Sequence, residues 1–367
     1  MKLNNLLSSV AEAGRDLLSG ERKWFSPSKS ADSTIEKLCE DLLSSKGEAL
    51  GTALAVSVVD ACRAMDNEDR FEFFNLLLIR FAALPESIDS AISAYQSDHS
   101  SARLYTLLQC SEAPRLELFR RINMAPGGTE TLVSLRGHLI QLLKKHPEFI
   151  EIDGDLSHLM SSWFNRGFLR LERIDWRTPA FILEKLIAYE AVHAMDGWGD
   201  LQRRLAEDRR CFAFFHPAMD DEPLIFVQVA LCEGLAGSVQ QLLEADIDAG
   251  LQKQADTAIF YSISDCQSGL KGISFGNFLI KQVVMELQSE LPNLQNFATL
   301  SPIPGFCRWL KMQIEDKQLT EQQLAAIGGF NDPQQRERLK DSEEARIILM
   351  QLCAHYLFNA KRGEQPL

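Results

Sequence analysis

The sequence predicts an α+β fold, with an all-helical half followed by a mixed α/β half. Through residue 165 the apolar residues recur at helical spacing, and no stretch alternates with period two. After Trp163 short alternating or wholly apolar runs appear, separated by helical stretches. The turn between Phe215 and Leu224 holds Pro217, Asp220, Asp221 and Glu222, which predicts a hairpin and hence an antiparallel part of the sheet. The chain is therefore divided into residues 1–165, all-helical, and 166–367, α/β.

In the first half, Ser33, Thr34, Ile35 and Glu36 fit a capping box that starts a helix at the serine. An apolar face follows through Ile35, Leu38, Leu42, Leu43, Leu50, Leu54, Val56 and Val59. Residues 71–84 carry Phe73, Phe74, Leu76, Leu77, Leu78 and Phe81. Pro85, the segment 97–101 and Pro126-Gly127-Gly128 punctuate further helices, and a helix over 131–145 stops before Pro147. These stripes serve a core or a subunit contact. In the second half, residues 168–174 alternate as a strand, and a helix opens at Pro179 and runs to about Val192. Strands are predicted at 211–215, 224–231 and 257–264.

Composition narrows the function. The 367 residues suffice for two domains, and 46% hydrophobic with 24% charged residues describe an ordinary globular protein. A net charge of -13 argues against a general nucleic-acid binder, which needs a basic face. No apolar run reaches the roughly 18–20 residues that span a bilayer. Leu3, Leu6, Leu7, Val10, Leu17 and Leu18 form an amphipathic helical pattern interrupted by Glu12 and Asp16, unlike a secretory signal or an acid-poor transit peptide. The eight cysteines are scattered without CxxC and the seven histidines lack HxH or HxxxH, so a reducing cytoplasm and no metal are expected.

The informative stretch is 257–314. A strand, Thr257 to Ile263, enters a glycine-rich loop, Gly269-Leu270-Lys271-Gly272-Ile273-Ser274-Phe275-Gly276. A helix follows with Phe278, Leu279, Val283, Val284 and Leu287 on one face. A strand over 297–300 then leads to Ser301-Pro302-Ile303-Pro304-Gly305-Phe306 and a helix with Trp309 and Leu310. A strand, glycine loop and helix N-terminus make an anion site, because backbone N–H groups point outward and the helix dipole favours negative charge. Lys271 adds a positive charge, but neither GxxxxGK[ST] nor GxGxxG is present, and the loop alone reads equally as a plain strand-to-helix turn. Ser301 alone reads equally as a helix N-cap before Pro302.

The segments TAIFYSISDCQSGLKGISFGNFLIKQVV and FATLSPIPGFCRWL resemble the catalytic half of malonyl-CoA decarboxylases. RLERIDW, EAVHAMDGW, DRRCFAFFHP and EPLIFVQVAL match the same family in the same order. The resemblance extends over essentially the whole chain and is strongest over 168–314. It implies a helical domain that self-associates and a catalytic half similar to GNAT acetyltransferases. In that fold acyl-CoA lies between two splayed strands, here 257–264 and 296–300, with its pyrophosphate on the loop 269–277. The family's CoA-binding loop falls on Lys271, Gly272, Ile273, Ser274, Phe275, Gly276 and Asn277, and its catalytic serine on Ser301. Some members carry a glutamate where Ser274 stands, so no acidic role is carried over to it.

The resemblance implies decarboxylation of malonyl-CoA to acetyl-CoA and carbon dioxide, a lyase reaction of fatty acid metabolism that needs no cofactor. Its implied partners are malonyl-CoA and acetyl-CoA; the helices of residues 1–160 carry more apolar surface than one bundle needs, so a homo-oligomer, dimer or tetramer, is also expected, while charge and hydropathy predict no nucleic acid and no membrane. The family pairs its serine with a histidine in a segment after YLFNAKRGEQPL, and the sequence stops at Leu367. The catalytic half is thus expected to lack its C-terminal part, which leaves activity of these 367 residues open. His355 reads as a helix residue and His216 as a loop residue. A CoA-dependent acyltransferase and a non-catalytic CoA-binding or assembly module are the alternatives.

Overall fold

Eight α-helices precede the first strand among the described residues of the computed structural model. They are α1 (Ala31–Ser44), α2 (Glu48–Ala64), α3 (Asn67–Ile79), α4 (Pro85–Ser97), α5 (Ser101–Ser111), α6 (Pro114–Asn123), α7 (Gly128–Leu142) and α8 (Ile150–Trp163). The structure describes residues 31–44, 47–190, 192–244, 254–275, 278–332, 335–336, 339, 342–362 and 365–366. The amphipathic pattern in residues 3–18 lies outside them. Two compact units result, residues 1–300 and 301–367.

Local chemistry sets the helix ends. Asp66 caps α3 by accepting from Glu68 N at 2.8 Å and Asp69 N at 2.9 Å, while the Asp69 carboxylate accepts from Asp66 N. Pro85 and Pro114 occupy first-turn positions, where a missing N–H costs nothing. The expected start at Ser33 is corrected: α1 already runs from Ala31, so the serine lies inside the helix. The apolar run after it is divided at Gly47, the N-cap of α2.

The sheet has the order β1 (Arg170–Ile174), β2 (Arg209–Phe215), β3 (Pro223–Cys232), β4 (Thr257–Asp265) and β5 (Asn296–Thr299). The first three pairings are antiparallel and β4 with β5 is parallel, as the turn before Leu224 and the β4-to-β5 crossover require. β1 begins later than expected because Arg166–Phe168 forms a 3-10 turn, capped by Asn165 accepting from Gly167 N at 3.1 Å. Helix α9 (Ala180–Tyr189) stops short of Val192, and α10 (Trp198–Arg204) precedes β2.

One face of the sheet, with Phe212, Phe214, Val227, Val229, Ala258 and Phe260, shares a core with the helices through Phe74, Phe119, Leu132, Phe149 and Met160. The other face packs Cys211, Ala213, Phe215 and Phe226 against Ile182, Leu183 and Leu186 of α9. Burial on both faces explains why β2 and β3 read as continuous apolar runs rather than alternating ones. Helix α11 (Val239–Glu244) lies before β4, and α12 (Phe278–Glu290) joins β4 to β5. In the second unit α13 (Phe306–Glu315), α14 (Glu321–Ile327) and α15 (Glu343–Asn359) enclose Leu310, Ile327, Ala345, Leu352 and Tyr356. No helix among the described residues is long and apolar enough to cross a membrane.

Candidate functional site

β4 and β5 form a fork. β5 pairs with β4 only from Thr257↔Asn296 to Phe260↔Thr299, and Leu300 N donates once more to Phe260 O at 2.9 Å. β4 continues to Asp265, paired on its other side with β3. Residues 261–265 therefore have no strand partner on the β5 side among the described residues. An unpaired strand edge offers backbone N–H and C=O groups to an extended, amide-bearing ligand.

The loop after β4 is clamped to the helical bundle. Ser268–Leu270 makes a 3-10 turn, and Gly269 sits so close to α7 that a Cβ there would lie 1.8 Å from Val133 O. Only glycine permits that approach. Arg136 of α7 donates from Nη1 to Gly269 O at 2.6 Å and to Lys271 O at 3.0 Å. Its Nε bonds Asp153 at 2.9 Å, which fixes the guanidinium from behind. The sequence reading missed Arg136, yet there was a signal: a single arginine among Leu132, Val133, Leu135 and Leu139 of an apolar helix.

Past the clamp the loop divides by role. Ile273 is buried and Phe275 packs on the core, while Lys271 and Ser274 are exposed. Gly272 takes φ +84°, with nothing within 4 Å of an added Cβ. The backbone is thus left-handed and open at Gly272, next to the Lys271 cation. Gly276 and Asn277, also singled out in the sequence, lie outside the described residues.

In the second unit Ser301 is exposed, outside any helix or strand, just before the turn at Pro304 and Gly305. It does not cap the next helix, because α13 begins at Phe306 with Gly305 as N-cap at φ +79°. The turn is tied down by Tyr356, whose hydroxyl donates to Pro304 O at 2.6 Å and would lie 2.6 Å from a Cβ on Gly305. Phe306 stacks on Trp309 at 5.8 Å between centroids, and Tyr356 meets the Phe306 ring edge-on at 5.7 Å. His355 is exposed on α15, with Nδ1 3.2 Å from the Asn359 amide.

His216 is structural. Ala218 N donates to Nδ1 at 3.1 Å, so Nε2 carries the proton and donates to Trp163 O at 3.1 Å. Its ring packs on Phe164 at 4.8 Å, and burial holds its pKa below the ordinary 6.5. Both ring nitrogens are occupied, which leaves none to exchange a proton with a substrate. Among the described residues no group of three His, Cys, Asp or Glu side chains is placed to hold a metal ion.

A family model described as the malonyl-CoA decarboxylase C-terminal domain matches residues 167–367, and one described as its N-terminal domain matches 81–164. The mitochondrial malonyl-CoA decarboxylase of Anser anser anser is 39% identical over 272 residues, which are 66% of this chain and 54% of that protein. That of Mus musculus is 35% identical over 271 residues, 66% of this chain and 55% of that protein. The chain thus spans about half the length of the curated relatives it matches. The crystal structure of malonyl-CoA decarboxylase from Rhodopseudomonas palustris superposes with TM-score 0.84 at 44% identity, covering 91% of this chain and 82% of that one. That from Agrobacterium vitis gives 0.81 at 46% identity, covering 88% and 80%.

Proposed function

We propose that this chain, which belongs to the malonyl-CoA decarboxylase family, converts malonyl-CoA to acetyl-CoA and carbon dioxide. The observation that carries the reading is the β4–β5 fork running into a loop whose backbone is open at Gly272 beside Lys271. The pantetheine arm lies along the free edge of β4. The CoA phosphates sit over residues 271–277, held by the N–H groups and by Lys271.

Decarboxylation breaks the bond between the carboxylate carbon and the α-carbon. Its electron pair passes into the thioester carbonyl as an enolate, and a proton then closes the α-carbon. The thioester is the electron sink, so the reaction needs only oxyanion stabilisation, desolvation of the carboxylate and a proton. We assign Ser301 as hydrogen-bond donor to the carboxylate or enolate oxygen. His216, with both nitrogens engaged, is not assigned the proton.

The division at 165/166 is kept as a division of labour, with assembly in the helices and chemistry in the rest. Exposed Leu104, Tyr105 and Leu108 on α5 support self-association of the helical half. Eight free cysteines support a reducing, cytoplasmic setting.

The test is carbon dioxide release from carboxyl-labelled malonyl-CoA by the protein expressed from its intact gene, with CoA binding followed by calorimetry. Release of label with stoichiometric acetyl-CoA supports the proposal. Tight CoA binding with no release, or transfer of the acyl group to an amine, refutes it.

A further inference from the structure

The fork opens at a defect in β4, and a buried carboxylate pins that defect. Across β3 and β4 the register slips: Gln228 faces Ser262, while Val229 faces Phe260. Tyr261 is therefore an extra residue, a β-bulge. The bulge reverses the phase of the strand. Ile259 and Tyr261 pack on one face with Ala230, and beyond them Ser262 and Ser264, at 2% exposure each, take over the inner positions while Ile263 turns outward. β5 stops pairing at Phe260, the residue before the bulge.

Glu190, 6% exposed at the end of α9, holds this arrangement. Ser262 Oγ lies 2.8 Å from both carboxylate oxygens, and Ser264 Oγ donates at 3.1 Å. The Gln228 amide donates to the other side of the carboxylate. Val192 N and His193 N each donate at 2.9 Å, which turns the chain after α9 and brings His193 Nε2 within 3.2 Å of Tyr261 O. Gln228 Oε1 in turn accepts from Tyr261 OH at 2.9 Å and from Arg204 at 3.2 Å. Both side chain and carbonyl of the bulge residue are thus fixed. An apolar cluster would fill this space without a fixed geometry, whereas a fully satisfied polar network specifies one arrangement.

We propose that Glu190 is a positioning residue: by locking the Tyr261 bulge it sets the free edge of β4 against which the thioester of bound acyl-CoA is aligned. This rests on the decarboxylase reading above. The CoA phosphates are held by a different segment, the Arg136-clamped loop, so the two functions separate.

The experiment compares wild type, Glu190→Gln and Glu190→Gln/Gln228→Glu for malonyl-CoA turnover and for binding of CoA and acetyl-CoA. In Glu190→Gln an amide NH2 meets the donors of Gln228 and Ser262. Misalignment at the reacting carbon should lower kcat about 10- to 100-fold, with CoA affinity unchanged. The double variant restores a donor opposite an acceptor and should recover most of kcat, which a loss of bulk packing would not do. A folded Glu190→Gln with wild-type kcat overturns the proposal, as does a joint fall of kcat and CoA affinity that the swap leaves uncorrected. Should Glu190→Gln fail to fold, Ser262→Ala and Ser264→Ala remove single donors, and wild-type kcat in both overturns it equally. Wild-type protein that binds CoA and releases no carbon dioxide refutes the decarboxylase reading instead. The positioning role is then decided by binding: it stands if Glu190→Gln alters acetyl-CoA affinity but not CoA affinity, and falls if both are unchanged.

Discussion

Arg136 Nη1 donates to the Gly269 carbonyl at 2.6 Å, joining helix α7 to the loop that follows β4. The Arg136 side chain is 4% exposed and its Nε is held by Asp153. Arg136→Met leaves the Gly269 and Lys271 carbonyls and the Asp153 carboxylate without this donor. Breaking such a buried charged contact costs about 3–5 kcal/mol. Denaturant unfolding should show that loss, and calorimetry should show weaker CoA binding. Wild-type stability would remove Arg136 from its clamping role.

The two loop glycines should separate packing from ligand approach. Gly269→Ala places a Cβ 1.8 Å from the Val133 carbonyl, backbone that cannot swing away. Overpacking of this kind costs about 1–3 kcal/mol or more. Gly272→Ala meets nothing within 4 Å and suffers only from its φ of +84°, worth about 1–2 kcal/mol. If the CoA phosphates approach the backbone there, Gly272→Ala weakens CoA binding severalfold out of proportion to its thermal shift. Unchanged CoA affinity would move the phosphate site elsewhere.

Ser301 is exposed and caps no helix, so Ser301→Ala should leave the melting temperature unchanged. As an oxyanion donor its loss should lower kcat by about 10²–10³-fold, with malonyl-CoA binding intact. The intact gene product is the protein to assay. A kcat within error of wild type would exclude Ser301 from catalysis.

His216 links stability to pH. Burial lowers its folded pKa below 6.5, against the hydrogen bond to Trp163 O that opposes the shift. Between the depressed value and 6.5 the unfolded chain binds more protons than the folded one. Stability is therefore complete above 6.5 and declines as pH falls through that window. His216→Gln keeps one donor and one acceptor and should flatten the melting-temperature profile between about pH 7 and about pH 5. An unaltered slope would show that other groups govern acid sensitivity.

The all-helical first half, the hairpin before Leu224 and the strand–loop–helix unit around Gly272 are legible in the sequence alone. These follow from signals within a few residues of one another: helical spacing, alternation, proline and glycine. The family resemblance added the loop residues and Ser301, because the segments 257–284 and 297–310 hold their motifs intact. How the loop is held depends on contacts between segments far apart in the chain. Arg136 meets Gly269 across 133 residues of chain, and Glu190 meets Ser262 across 72. No local pattern encodes a contact at such separation. The bulge at Tyr261 is equally silent, since a residue inserted into a pleat leaves an apolar run looking continuous while it exchanges which side chains face inward. Ser262 and Ser264 read as strand residues of either face, and the fold alone turned them toward a carboxylate.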